Sequence, residues 1–356
     1  MADSVCPSPE FWANKRVLVT GHSGFKGSWL TLWLQNLGAS VTGLSLAPNT
    51  NPNLFSLAKI DQTCNSQFCD IRDLSALNNA VKLAKPEIFF HLAAQPLVRI
   101  SYQDPIDTLL TNVMGTANIL EAIRLSSNTR VAVMITTDKV YRNHELPIPY
   151  REEDPLGGYD PYSASKAASE MIISSYRDSF LLKHGVAVAS ARAGNVIGGG
   201  DWSKDRLIPD AIRAWQQGVH LEIRRPDAIR PWQHVLEPLA GYLTLAQKLW
   251  ERPNLSGAYN FGPEADQAAT VRSVIELARA TFGKGDVRYA QDIEGLHEAG
   301  LLTLAITKAK EILEVKPRLS LNEAVRLTID WYRNQQSGVS ALDLCKNQIK
   351  IYEGML

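Results

Sequence analysis

Residues 16–29 read RVLVTGHSGFKGSW, and this stretch decides the fold. The run at 16–20 is short and rich in β-branched residues, which predicts a buried strand. Residues 28–37 have helical spacing and are followed by glycine, and residues 40–46 read as a second strand. A strand, a helix and a second strand within about 30 residues are the start of a doubly wound parallel sheet.

Three glycines lie between the first strand and its helix, at the spacing GxxGxxG. Gly21 permits the tight turn, Gly24 lets backbone N–H groups approach a diphosphate at the helix N-terminus, and Gly27 allows close packing of the helix. Glycine-rich turns also occur for purely structural reasons. Because this one follows the first strand, it predicts nucleotide binding.

The alternation of strands and helices continues along the chain, so we predict an α/β fold. It is a doubly wound parallel Rossmann sheet with a smaller, mainly helical C-terminal substrate-binding domain. The further strands are expected at 88–92, 130–136, 186–191 and 257–261, and the helices at 74–84, 107–125, 163–182, 235–249, 270–282 and 321–334. Residues 1–192 with 235–262 would form the dinucleotide-binding domain, and residues 193–234 with 263–356 the smaller substrate-binding domain.

The composition excludes disordered and fibrous proteins. The apolar fraction of 45% and the charged fraction of 21% are typical of a globular chain. Lys plus Arg and Asp plus Glu both number 37, which gives no bulk attraction to nucleic acid or to an anionic membrane. We therefore predict neither as a partner. The four cysteines form no CxxC pair, so we expect no metal site. The first ten residues lack the basic stretch of a signal peptide, so we expect a cytoplasmic location.

The end of the second strand normally supplies an acid for the adenosine ribose. Here residues 44–48 read LSLAP, with neither an acid nor an arginine for a 2′-phosphate. The predicted cofactor is NAD, although this position does not decide between NAD and NADP. Asp70 opens a helical segment and would contact the adenine amine or cap the helix. Residues 91–95 end a strand in small residues, which allows a dinucleotide to approach the backbone.

Tyr162 and Lys166 are four residues apart, so they lie on one face of a helix. A phenol with a pKa near 10 is a poor base at neutral pH. A nearby ammonium and an oxidised nicotinamide favour the phenolate and lower that pKa. Tyr162 would then accept a proton from a sugar hydroxyl while hydride leaves the same carbon.

At this point the chain resembles the extended short-chain dehydrogenases/reductases, and within them the nucleotide-sugar 4,6-dehydratases. The resemblance covers nearly the whole chain. It is carried by TGHSGFKGSW (20–29), HLAAQPLVR (91–99), TTDKVY (136–141), YSASK (162–166), RAGNVIGGGDW (192–202), DRLIPD (205–210) and RPWQHVLEPLAGYL (230–243). Two positions depart from the family. Lys26 replaces the usual apolar residue, and Ala47 stands where many relatives have an acid.

The resemblance implies roles for the residues after the 130–136 strand. Thr137 would hydrogen-bond the sugar O4 beside Tyr162 and Lys166. Asp138 would protonate the departing C6 hydroxyl, and Lys139 would remove the C5 proton as a neutral amine or act only electrostatically. Thymidine-linked relatives have Asp-Glu at this place, and the Asp-Lys form is that of the cytidine-linked enzymes. The implied substrate is CDP-glucose, which would lose water to give CDP-4-keto-6-deoxyglucose for 3,6-dideoxyhexose (O-antigen) synthesis.

The resemblance also implies that the first domain binds NAD and the second binds the nucleotide sugar, through two sets of residues. Those for the cofactor are Gly21, Ser23, Gly24, Phe25, Lys26, Gly27, Asp70, Ile71, Leu92, Ala93, Ala94, Gln95, Asn112, Thr136, Tyr162 and Lys166. Those for the substrate are Gln95, Thr137, Asn195, Arg206, Arg230, Gln233 and His234. Alternative functions are a dehydratase for another nucleotide sugar, a 4-epimerase and a non-catalytic dinucleotide sensor.

A homodimer or homotetramer is implied by the family, through the helices at 107–125 and 163–182. Such an interface needs an apolar stripe that faces outward. Ala167, Met171, Ile172 and Tyr176 would provide it, unless these side chains face the sheet instead.

Overall fold

The computed structural model describes residues 7–290 and 299–356. Its centre is a seven-stranded parallel sheet with strand order β7-β6-β5-β4-β1-β2-β3. The strands are β1 (Arg16–Thr20), β2 (Ser40–Ser45), β3 (Asn65–Phe68), β4 (Ile88–His91), β5 (Val131–Ile135), β6 (Ala187–Ala193) and β7 (Gly257–Phe261). The chain order reverses between β1 and β4, so the carboxyl ends of these strands open a crevice.

Helices cover both faces of the sheet. They are α1 (Phe25–Asn36), α2 (Leu74–Ala84), α3 (Pro105–Leu109, Leu110–Met114 and Gly115–Leu125 in unbroken succession), α4 (Pro161–Tyr176), α5 (Leu207–Gln216), α6 (Leu236–Glu251), α7 (Val271–Phe282), α8 (Leu321–Gln336) and α9 (Ala341–Glu353). One buried apolar cluster joins α1 and α6 to the sheet, and a second joins α2, α3 and α4 to its other face. The predicted doubly wound α/β fold is confirmed.

Three elements differ from the sequence-based expectations. The helix expected at 163–182 is α-helical only as far as Tyr176 and continues as a π-helical turn, Arg177–Leu181, and a 3-10 turn, Leu182–His184. β3, with the sequence NSQF, was not predicted because it is a polar, partly exposed edge strand that pairs with β2 alone. The middle segment of α3, Leu110–Met114, is π-helical rather than α-helical. Asn112 lies within it and turns its amide inward, as π segments often do near functional sites.

Short helices and strand pairs complete the described chain. The short α-helices are Pro9–Trp12, Leu54–Leu57, Val98–Gln103 and Thr307–Ile312, and the 3-10 helices are Ile60–Gln62, Asp138–Val140, Leu182–His184, Pro253–Leu255 and Ala265–Gln267. The strand pairs are Val196–Ile197 with Gln233–His234, Ile229–Arg230 with Ala269–Thr270, and Leu221–Ile223 with Val287–Tyr289. Among residues 7–290 and 299–356, no helix is both long enough and apolar enough to cross a membrane.

The last helix, α9, returns to the sheet. Trp33 of α1 donates a hydrogen bond from Nε1 to Glu353 Oε1 at 2.7 Å, and its ring meets Tyr352 edge-on. Cys345 is buried in the same apolar cluster as α1. The domain boundaries stay a prediction, and these contacts favour grouping α9 with the sheet.

Candidate active site

The glycine loop after β1 has the geometry that a diphosphate site requires. Gly21 has φ +77°, in the left-handed region, and a Cβ added at Gly27 would lie 2.0 Å from the Gly21 carbonyl oxygen. Gly24 is the N-cap of α1, and it has no side chain that could occupy the free N–H groups of the helix. A Cβ there would meet the Gly21 oxygen at 3.3 Å. The first N–H groups of α1 are thus available to an anion.

Two side chains of the loop fasten it to β2. Ser23, a predicted cofactor residue, donates to the Leu46 carbonyl at 2.8 Å. His22, which sequence reasoning missed, is fully buried between the hydroxyls of Ser45 and Ser66, at 3.0 and 2.7 Å. Burial lowers the pKa of His22 to about 4, so this ring is neutral. The sequence signal was Gly43 in the middle of β2, where a Cβ would lie 2.3 Å from the His22 ring.

On the adenine side, Asp70 is held by a neighbour. Both its carboxylate oxygens accept hydrogen bonds from the Arg72 side chain, which also pairs with Asp107. The suggestion that Asp70 caps the next helix is wrong, because Asp73 caps α2 by accepting from the Ala76 N–H at 2.9 Å. Contact of Asp70 with adenine stays a prediction.

The loop after β4 is fixed from beneath. Asn112 accepts from the Gln95 N–H at 2.8 Å and donates to the Gln95 carbonyl at 3.0 Å and to Ser165 Oγ at 2.9 Å. The Gln95 side chain turns back to Leu97 and Thr108. Asn112 and the Gln95 side chain therefore shape the loop, whereas Leu92 and Ala94 line the cleft.

A cleft of about 1000 Å³ lies at the carboxyl ends of the strands. The predicted site residues that line it are Lys26, Leu92, Ala94, Thr136, Thr137, Asp138, Lys139, Tyr162, Lys166, Asn195, Arg206 and Arg230. All five predicted catalytic residues belong to this set. Thr137, Asp138 and Lys139 follow β5, whereas Tyr162 and Lys166 lie on α4, so the fold brings the two groups to one cleft.

Thr137, Asp138 and Lys139 form a tight turn directly after β5. The Thr137 hydroxyl donates to Asp138 Oδ1 at 2.9 Å, and Lys139 Nζ lies 3.2 Å from the same oxygen. Asp138 is completely buried, and its Oδ2 has no hydrogen-bond partner among the described residues. A buried acid with one uncommitted oxygen next to a cation is suited to proton transfer.

Tyr162 and Lys166 are both buried on α4. Lys166 Nζ donates to the Ile135 carbonyl at 3.0 Å, which holds the amine at the end of β5. Burial lowers the pKa of Lys166 to about 8, and the Glu170 carboxylate opposes this effect.

The protein's own groups do not lower the pKa of the Tyr162 phenol as expected. Burial raises the pKa of Tyr162 to about 12, while a hydrogen bond with Thr137 and the charge of Arg206 act in the opposite direction. With these groups the phenol is neutral at pH 7. The cationic neighbours alone do not outweigh its desolvation.

Lys26 extends from the glycine loop to the catalytic groups. Its side chain lines the cleft, and burial lowers its pKa to about 7. The cations Arg206 and Lys166 add to this shift, whereas Asp138 and Asp201 oppose it. The departure from the family's apolar residue thus places a third lysine beside the reacting groups.

The predicted substrate residues separate into two groups. Asn195, Arg206 and Arg230 line the cleft, and Asn195 Oδ1 is buried without a hydrogen-bond partner in the described part of the chain. Gln233 and His234 lie in the core outside the cleft lining. Gln233 donates to the Phe261 carbonyl at 3.0 Å and the His234 ring contacts Trp29 edge-on, so both help to support the cleft floor.

The fold and the Thr–Tyr–Lys arrangement define a Rossmann-type enzyme of the short-chain dehydrogenase/reductase class. The sequence profile of the GDP-mannose 4,6-dehydratase family matches residues 18–328. The chain belongs to this family of nucleotide-sugar 4,6-dehydratases.

Individual relatives agree with this assignment. The chain is 46% identical to a CDP-glucose 4,6-dehydratase of Salmonella typhimurium, over 96% of this chain and 97% of that one. Among solved structures, MoeE5 in complex with UDP-glucose and NAD is 25% identical, with a TM-score of 0.74 over 90% of this chain and 99% of that one. A dTDP-glucose 4,6-dehydratase of Bacillus anthracis in complex with NAD is 23% identical and shares the fold, with a TM-score of 0.74 over 92% and 99% of the two chains.

Proposed function

We propose that the protein converts CDP-D-glucose to CDP-4-keto-6-deoxy-D-glucose and water, with NAD as a recycled cofactor. The observation that carries this proposal is the pair formed by buried Asp138 and partly exposed Lys139, which lines the cleft together with Thr137 and Tyr162. An epimerase expels no water and needs neither an acid at C6 nor a base at C5. The 46% identity to a CDP-glucose 4,6-dehydratase over nearly the full length supports the cytidine nucleotide.

The chain's own residues fit a dinucleotide. Gly21 and Gly27 let the loop fold tightly, because a Cβ at either position would clash with the protein's own backbone, and the N-terminus of α1 offers N–H groups to a diphosphate. Leu92 and Ala94 line the path towards Lys166. When bound, NAD supplies the redox chemistry by taking a hydride from C4 and returning it at C6.

The protein residues would move the protons. Tyr162, once ionised, accepts the O4 proton with Thr137 as hydrogen-bond partner, and the resulting C4 ketone acidifies the C5 proton. For this chemistry Lys139 must act as a neutral amine and Asp138 as a neutral acid, and their 3.2 Å contact allows a proton to pass between them. Lys139 then removes the C5 proton while Asp138 protonates the leaving C6 hydroxyl. Lys139 finally returns a proton to C5.

The substrate diphosphate would lie on the other wall of the cleft. Arg206 and Arg230 line that wall, and guanidinium groups bind phosphate oxygens with two parallel hydrogen bonds. The buried Oδ1 of Asn195 is an unused acceptor at the same place, suited to a sugar hydroxyl.

The test is mass spectrometry of CDP-glucose incubated with the protein and NAD in deuterated water, beside UDP-, dTDP- and GDP-glucose. We expect the cytidine substrate alone to lose one water and to gain one solvent deuteron at C5. A change of configuration at C4 without loss of water would identify an epimerase. No reaction with any of the four would refute the proposal and favour a sensor or another sugar.

We also propose that the protein is a homodimer or homotetramer that works in the cytoplasm and supplies 3,6-dideoxyhexose synthesis. The supporting feature is an apolar face on α3 and α4, formed by exposed Ile106, Leu110, Met114 and Met171. Of the residues expected to form this face, Met171 alone is exposed. Ala167 is buried, and Ile172 and Tyr176 pack against the core.

Light scattering during size-exclusion chromatography tests the assembly. We expect at least a dimer for the natural chain and a monomer for the variant Leu110→Glu/Met171→Glu. The exposed Leu83, outside this face, provides a matched control as Leu83→Glu, which should keep the natural mass. A monomeric natural chain would refute the assembly.

A further inference from the structure

A buried ion pair lies directly behind the catalytic residues. Arg192 Nε and Nη2 bind the two carboxylate oxygens of Glu170 at 3.0 and 2.9 Å, and each side chain is 4% exposed. The carboxylate also accepts from Thr136 Oγ1 at 2.5 Å and from Ser190 Oγ at 2.7 Å. Four donors on a buried carboxylate fix its position closely.

This pair connects the elements that carry the chemistry. Glu170 follows Lys166 by one turn of α4, and Thr136 directly precedes Thr137. Arg192 lies on β6 and donates from Nη1 to the Tyr141 hydroxyl at 2.8 Å, just beyond the Asp138–Lys139 turn. The helix with the reactive lysine and the strand end with the proton-transfer groups are thus tied to one carboxylate.

The charge of Glu170 also acts on Lys166. Burial lowers the pKa of Lys166 to about 8, and the negative charge of Glu170 opposes this decrease. Burial would likewise raise the pKa of Glu170, but the Arg192 guanidinium and the hydroxyls hold it below its ordinary value. Glu170 therefore keeps its charge throughout the working pH range.

Other ionisable groups face Lys166 from the elements around it. Lys26 of α1 and His91 of β4 interact with its charge, and burial lowers the pKa of His91 to about 3, so this ring is neutral. Tyr162 lies one turn before it on α4, and burial keeps its phenol neutral at pH 7. Asp138 is also an anion, but it forms an ion pair with Lys139. Glu170 is thus the fixed anion that acts on Lys166.

We propose that Glu170, held by Arg192, is a positioning residue for the hydride-transfer step: it keeps Lys166 cationic and fixes the Thr136–Thr137 strand end against α4. This inference rests on the proposed function. A cationic Lys166 favours the Tyr162 phenolate, so loss of the Glu170 charge weakens proton removal from O4 without touching the substrate.

The experiment is Glu170→Gln, which keeps the size of the side chain and an oxygen for the Thr136 hydroxyl. An NMR titration of ¹³C-lysine-labelled protein, with the Lys166 signal assigned by Lys166→Arg, measures the pKa directly. We expect the pKa of Lys166 to fall by about one to three pH units, as for loss of a nearby opposite charge. The alkaline limb of the pH profile of kcat/KM for CDP-glucose, which reports the free enzyme, should move to correspondingly lower pH. At pH 8 kcat/KM should fall about tenfold or more.

Two further variants separate positioning from general structural support. Ser190→Ala removes one hydrogen bond to Glu170 but leaves its charge, and should leave both the Lys166 titration and the pH profile unchanged. If Glu170→Gln alone does not fold, because Arg192 is left as an uncompensated buried cation, Glu170→Gln/Arg192→Met removes both charges. In it the pKa of Lys166 should still fall, by less than in the single variant.

An unchanged Lys166 titration in a folded variant without the Glu170 charge would overturn the inference. So would a shift of the same size in Ser190→Ala. The NMR measurement needs no substrate, so it decides the inference even if CDP-glucose is not turned over. Failure of the proposed function and failure of this inference are therefore distinguishable.

Discussion

The substitution Asp138→Asn should separate oxidation of the sugar from loss of water. Asn keeps the volume of the side chain and an Oδ1 that accepts from Thr137, whose hydroxyl lies 2.9 Å away in the natural chain. It removes the charge that pairs with Lys139 and the carboxylate that would carry a proton to the C6 hydroxyl. The change is thus confined to proton transfer and to charge.

The two half-reactions should respond in opposite directions. General acid catalysis contributes about 10²–10⁴-fold, so dehydration should slow by that factor, or by about 3–5 kcal/mol in barrier height. The negative charge of Asp138 is one of the influences that raise the pKa of Tyr162, although burial is the largest. Removing it lowers that pKa, so proton removal from O4 should be as fast as in the natural chain or faster.

A single-turnover experiment measures both steps. The protein is mixed rapidly with NAD and CDP-glucose, and the near-ultraviolet absorbance of reduced nicotinamide is followed. In the natural chain this signal should be transient. In Asp138→Asn it should rise at least as quickly and then persist, and quenched samples should contain the 4-keto sugar nucleotide with C6 still hydroxylated.

Asp160→Asn is the matched control. Asp160 also raises the pKa of Tyr162, and its Oδ1 caps α4 by accepting from the Ser163 N–H at 2.9 Å. Asn is an equally good N-cap, so this variant removes a similar charge and keeps the helix start. Reduced nicotinamide should not accumulate in it. If Asp138→Asn slowed oxidation as much as dehydration, Asp138 would not be the acid for C6.

Three further changes test other parts of the site. Gly27→Ala should abolish NAD binding in a calorimetric titration and lower the melting temperature, because its Cβ would lie 2.0 Å from the Gly21 oxygen. Lys26→Met should flatten the pH dependence of unfolding by urea. The pKa of Lys26 is about 7 when folded, so the natural chain gains stability as pH rises from 7 towards the unfolded value, and an equal slope in the variant would contradict this burial. Asn112→Ala breaks one buried hydrogen bond, to Ser165, and two partly buried ones, to Gln95. It should cost about 2–4 kcal/mol in the free energy of unfolding. A change below about 0.5 kcal/mol, the size of a surface substitution, would contradict its supporting role.

The sequence predicted the parts of the fold that follow from local patterns. Arg16–Thr20, Leu74–Ala84 and Gly257–Phe261 have the predicted bounds, because each is an apolar or amphipathic run ended by clear turn residues. β3 escaped because an edge strand with one neighbour needs little apolar character. The π segment in α3 was not predicted, because it depends on a hydrogen bond between Asn112 and a loop 17 residues away in sequence.

The site was predictable in so far as motifs carry it. Thr137, Asp138, Lys139, Tyr162 and Lys166 do line one cleft, as adjacent strand ends and a single helix face require. Which polar residues near a motif face the cleft and which face the core is decided by packing of distant elements. Local sequence therefore could not show that Gln233 and His234 are buried outside the cleft lining.

The charge state of the cleft is a property of the assembled site and of its ligands. Burial holds the pKa of Lys26 near 7 and that of Lys166 near 8, and raises that of Tyr162 to about 12. A substrate diphosphate beside Arg206 would stabilise both ammonium groups, because an opposite charge in a buried site favours the charged form. The ammonium groups and an oxidised nicotinamide would then lower the pKa of the Tyr162 phenol. Under the proposed function, binding of the nucleotide sugar would thus prepare the base for its proton transfer.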